Sequence, residues 1–170
     1  TEFYYALAPE LLLLGLIVLL MLLEMLRVPA RWARVCVVAT VAAAMYVLLS
    51  QLGSGYSAVV APGEIEVDRY SILARLVLLL CTAAVALGFG GAQSYKFWML
   101  AAASTLGGMI MVGSTGFAPL FVGIELLSLP AFALIVQGQG RSAASEGAFK
   151  YLVLSSVASA TFLFGVSLSY

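Results

Sequence analysis

Residues 116–137 read GFAPLFVGIELLSLPAFALIVQ, an apolar stretch of helix length with one carboxylate, Glu125, near its middle. At 1.5 Å rise per residue, Glu125 lies about 13 Å from one end and about 18 Å from the other. That is close to the midplane of a hydrocarbon core roughly 30 Å thick. An ionised carboxylate facing lipid there costs about 2.5 to 3.5 kcal/mol on insertion scales, so Glu125 is expected to face protein, water or a cation, or else to be neutral. A hydrogen bond from Ser128, or from a serine on another helix, would serve the neutral form. Pro130, five residues on, removes a backbone donor and leaves the carbonyl of Leu126 without its usual bond, which invites water or a bend beside the acid.

The rest of the chain has the same character. Of 170 residues, 64% are hydrophobic and 9% charged, and mean hydropathy is +1.11. The apolar runs are continuous and rich in Leu and Ala, without the alternation of membrane β-strands. The fold class expected is therefore an all-α polytopic membrane protein lying in a lipid bilayer. Net charge is zero with no basic tract, so nothing points to nucleic acid. There is no histidine, and Cys36 and Cys81 lack CxxC spacing, which argues against haem, iron–sulfur and metal ligation on this chain.

Six spans are predicted, over residues 9–26, 35–52, 69–89, 97–112, 116–137 and 145–168. Acidic residues before the first run argue for a retained helix rather than a signal peptide. Gly90, Gly91 and Gln93 break the third span, and a polar loop over 53–68 carries Glu64, Glu66 and Asp68. The four-residue link GSTG makes the fourth and fifth spans antiparallel neighbours. Arg27, Arg31, Arg34, Lys96 and Arg141 fall on one side and Arg69 on the other, which places the N-terminus outside. Ser104 and Gly108, and Ser155 and Ser159, are small residues four apart that suit close helix packing.

Intramembrane ionisable groups are the candidates for chemistry. Glu10 is expected at the interface, favoured by the helix dipole. Glu24 reaches the headgroups or pairs with Arg27. Arg75 either snorkels outward along its alkyl stem or is an internal counter-charge to a buried glutamate. Lys150 shares a helix face with Glu146, and the two either form an ion pair at the membrane boundary or leave Lys150 desolvated among small residues, able to exchange a proton near neutral pH. A mid-membrane carboxylate and an intramembrane lysine make the minimal kit for a proton relay, because the protonation of each depends on the charge of the other.

Three phrases carry a resemblance: APELLLLGLIVLLMLLEM near the start, VGIELLSLPAFALI around Glu125, and EGAFKYLVLSSVASATFLFGVSLSY at the end. They resemble the N-terminal portion of the subunit N family of bacterial proton-translocating NADH:quinone oxidoreductase, respiratory complex I. The resemblance implies a three-helix segment over 1–96, followed over 97–170 by the first three helices of an antiporter-like inverted repeat. It puts Glu125 on the family's fifth-helix glutamate and Lys150 on its sixth-helix lysine, and so in a proton pathway; the residues themselves offer Arg75, Glu146, Glu24 and Ser128 as candidate auxiliaries and Pro130 as a helix-bending residue.

It further implies a non-redox subunit of a translocase, with no cofactor on this chain. NADH, FMN, iron–sulfur clusters and quinone belong to other subunits. Expected partners are antiporter-like and small hydrophobic membrane subunits, in a bacterial inner membrane. The chain stops at Tyr170, before the broken seventh helix and later lysines of the family, so in isolation it is expected not to complete a proton channel. Two rival readings are a subunit of a multisubunit sodium/proton antiporter or membrane-bound hydrogenase, and a scaffold whose buried charges only fix helix register.

Overall fold

A computed structural model describes residues 2–88, 93–137 and 141–169. Its helices are α1 (Glu2–Ala6), α2 (Ala8–Met25), α3 (Arg31–Gly53), α4 (Arg69–Gly88), α5 (Tyr95–Gly113), α6 (Phe117–Val136) and α7 (Arg141–Ser169). Two short strands, β1 (Ala58–Ala61) and β2 (Ile65–Val67), lie between α3 and α4. Among the described residues, six helices are long and apolar enough to cross a membrane. This is the expected polytopic helical architecture. The breaking glycines Gly90 and Gly91 fall outside the described residues.

Local chemistry sets the ends. Pro9 and Glu10 occupy the first turn of α2, where a missing N–H costs nothing and a negative charge meets the positive end of the dipole. At its other end, Arg27 takes φ +55. The N–H of Arg27 then donates to Glu24 O at 3.1 Å and that of Val28 to Leu23 O at 3.1 Å, a Schellman closure with arginine where glycine is usual. At the start of α4, Asp68 Oδ1 accepts from the Ser71 N–H at 2.8 Å while Ser71 Oγ accepts from the Asp68 N–H at 3.0 Å. The two side chains satisfy each other's free backbone donors.

The polar loop expected over 53–68 contains more order than a loop. β1 and β2 form an antiparallel hairpin, with Gly63 at φ +76 in its turn. The carbonyl of Glu64 accepts from the N–H groups of Thr115 at 2.8 Å and Gly116 at 3.1 Å, and Ile65 bridges to Ser114. The hairpin is thereby fastened to the turn between α5 and α6.

The buried core is built from Leu13, Leu16 and Leu20 of α2, Val37, Val41 and Leu48 of α3, Ile72 and Leu79 of α4, and Trp98 and Met109 of α5. Polar contacts sit within it: Thr82 and Thr105 hydroxyls lie 2.7 Å apart between α4 and α5, and Gln51 Nε2 donates to Tyr5 O at 2.6 Å. The tightest crossing joins α5 to α6. A Cβ on Gly107 would fall 2.6 Å from backbone atoms of Leu126 and Leu127, and one on Gly123 would fall 2.8 Å from the Met111 nitrogen. Short connection and small residues together give the antiparallel pair the sequence predicts, with Gly107 and Gly123 at the closest approach. Gly108 meets the Leu78 side chain of α4 most closely and the Leu127 side chain of α6 as well.

Candidate functional site

Glu125 sits on the ninth residue of the twenty in α6, about 12 Å from its start. Its side chain is half-buried and turns toward α7, where the Ser159 hydroxyl donates to Glu125 Oε1. The serine on another helix is thus the partner, and Ser128 is not. Ser128 Oγ donates within its own helix, to Ile124 O at 2.9 Å, with Glu125 O at 3.4 Å. Pro130 is buried inside α6, which continues as helix to Val136. The proline expected to bend α6 does not end it, and the Ser128 hydroxyl bonds the carbonyls of Ile124 and Glu125, not the Leu126 carbonyl that Pro130 leaves without its usual donor.

A cleft of about 290 Å³ separates the two helices at this level, lined among others by Glu125, Phe132, Tyr151, Ser155, Ser156 and Ser159. The small-residue pair of α7 therefore lines the acid's cleft as well as packing. At the far end, Phe121 stacks on Phe162 with centroids 6.3 Å apart and rings 7° from parallel. Phe117 meets the same ring edge-on. These contacts run antiparallel and hold α7 against α6.

Lys150 lies elsewhere. Nine residues separate it from Ser159, about 13 Å along the helix and half a turn around it. Its Nζ donates to Glu146 Oε1 at 2.6 Å, with both side chains 68% exposed. Of the two sequence alternatives for Lys150, this chain displays the ion pair, on the face of α7 turned away from α6. The structure does not bring Glu125 and Lys150 together.

A second acid–base pair does form, and the sequence reading missed it. Glu10 Oε1 lies 3.0 Å from Arg75 Nη2, with Glu10 7% and Arg75 1% exposed. The interfacial position expected for Glu10 and the outward-reaching alternative for Arg75 are both corrected. Arg75 is the internal counter-charge, and the buried glutamate it meets is Glu10. The signal was available in helix parity. α2 and α4 start on the same side of the bundle, and Glu10 and Arg75 fall three and seven residues into them, at similar depths. Glu24 is half-buried near the end of α2, and no ion pair joins it to Arg27 among the described residues.

Comparison with known proteins follows the same residues. The family model described as NADH:quinone oxidoreductase/Mrp antiporter, TM, matches residues 114–170, which include Glu125, Lys150 and Ser159. NADH-quinone oxidoreductase subunit N of Pelobacter propionicus is 48% identical over the whole chain. The chain is a relative of subunit N. The subunit N of a Paenibacillus species is 30% identical over 96% of it. This subunit N relative spans 37% of the Pelobacter protein and 36% of the Paenibacillus one, about a third of the curated relatives it matches. A chain in the structure of respiratory complex I from Thermus thermophilus with bound aureothin superposes with TM-score 0.84 at 26% identity, covering 95% of this chain and 36% of that one.

Proposed function

We propose that this chain is part of a proton-translocating membrane subunit of an NADH:quinone oxidoreductase. The observation that carries the reading is Glu125, half-buried at mid-span in a serine-lined cleft, within the matched family region. A carboxylate there can take up and release a proton with the Ser159 hydroxyl as its hydrogen-bonding partner. Residues 1–96 act as an N-terminal segment and 97–170 open an antiporter-like repeat. Lys150, released from Glu146, gives up its proton to the pathway and is then reprotonated, with Ser128, Glu24 and Arg75 as auxiliaries that shape the surrounding field. NADH oxidation, FMN, the iron–sulfur clusters and quinone reduction belong to other subunits. The subunit sits in a bacterial inner membrane with its N-terminus outside, beside other antiporter-like and small hydrophobic subunits.

The test is NADH-driven proton uptake into inverted membrane vesicles carrying the full-length subunit with Glu125→Gln, which keeps the shape and removes the titration. Normal assembly with proton uptake lowered at least about tenfold is the expected result. Uptake per NADH equal to the parent would make the acid structural and favour the scaffold reading. The family description also names Mrp antiporters, which supports a second reading: sodium-driven proton exchange. That reading predicts uptake driven by a sodium gradient with no NADH or quinone present.

A further inference from the structure

The Glu10–Arg75 pair is buried on every side by elements that the family match at 114–170 leaves mostly outside. Arg75 rises from α4 and Glu10 from α2. The guanidinium occupies the space that a side chain on Gly113, the last residue of α5, would need, beside the carbonyl of Glu66 in β2. Four elements therefore converge on one cation. Nη2 has its carboxylate, but Arg75 Nε and Nη1 and Glu10 Oε2 are buried with no hydrogen-bond partner among the described residues. A guanidinium has five N–H donors and cannot shed its charge. Leaving two of its nitrogens dry in an apolar interior costs several hydrogen bonds that water would have made. Buried ion pairs persist only when the remaining donors and acceptors are also satisfied.

We infer that this junction is a binding site for ordered water, which bridges Arg75 Nε and Nη1 to the free oxygen of Glu10 and makes the pair a latch joining α2, α4 and the end of α5. The guest is a neutral hydrogen-bonding molecule rather than an anion, because Glu10 already balances the charge on Arg75. Buried waters typically make about two to four hydrogen bonds to such orphaned groups, and the Nε and Nη1 donors, which point to different edges of the guanidinium, call for a separate water each.

The test uses the native membrane assembly containing the full-length subunit. A density map fine enough to show ordered water is expected to hold a compact peak within hydrogen-bonding reach of Arg75 Nε or Nη1, absent in the E10M/R75M double variant. No peak, or density for a larger molecule such as a lipid headgroup, overturns the inference. In parallel, Glu10→Met and Arg75→Met alone are expected to lower the yield of assembled protein at least about tenfold, since each leaves one charge buried alone. The double variant returns to within about threefold of the parent. A double variant as poor as the worse single variant would show that the two residues do not act as one latch.

Discussion

The bond between Ser159 and Glu125 concentrates on one hydroxyl what holds α7 at the depth of the acid. Ser159→Ala is expected to weaken the α6–α7 pairing by about 1 to 3 kcal/mol, the range for a hydrogen bond to an ionisable group, read as a lower thermal midpoint of the purified assembly. Ser156→Ala is the matched control, because the Ser156 hydroxyl donates to Leu152 O within its own helix at 2.8 Å and should change little. At Asp68 the residue scale also gives a pH dependence. The Ser71 N–H, the largest influence, holds the Asp68 carboxyl below its ordinary value. The stability this contributes is fully present above about pH 4 and is lost as pH falls through the lowered folded value. Asp68→Ala is expected to remove about 1 kcal/mol at neutral pH and to flatten the acid limb of the unfolding curve at this site. Sequence reading expected Glu125 to face protein, and it meets Ser159 of α7, because a carboxylate at mid-span has nowhere indifferent to go. It misplaced Glu10 because a charge in a first turn has a satisfactory explanation in the helix dipole alone, and only tertiary structure reveals Arg75 beside it.

Among the elements, the α5–α6 pair is the one most exposed to a single added carbon. Gly107→Ala would drive a Cβ to 2.6 Å from α6 backbone, and backbone cannot rotate aside, so the helices must separate. The expected cost is about 1 to 3 kcal/mol, measurable as reversible unfolding in detergent. Gly15→Ala in α2 meets nothing within 4 Å, and is expected to be neutral or slightly stabilising through helix propensity. The six spans were legible in hydropathy because each must bridge the bilayer without polar interruption. The crossing glycines were not singled out: consecutive Gly107 and Gly108 offer two faces, and the sequence does not say which one meets α6. The hairpin between α3 and α4 was read as loop because its strands are three and four residues long, too short for alternation to register.

For the whole molecule, the bundle has two kinds of cohesion. Apolar length inserts the spans, while the end that carries the hairpin is tied by backbone bonds from it to the α5–α6 turn. Replacing residues 58–67 by a Gly-Ser connector is therefore expected to leave span topology unchanged by cysteine labelling, while lowering the thermal midpoint and exposing the 114–116 turn to protease. The Gly116 position belongs to the same tie, since the Glu64 side chain fills the space that any side chain there would need.

The backbone-on-backbone crossing of α5 and α6 has a mechanical meaning. Two rods pressed together at a point without intervening side chains have little compliance between them, because no rotamer change can absorb a push. With their shared turn gripped by the hairpin, they behave as one strut hinged at that turn. A sideways load on either rod would swing both, and the carboxylate partway along α6 would travel against α7, altering the width of the cleft it faces.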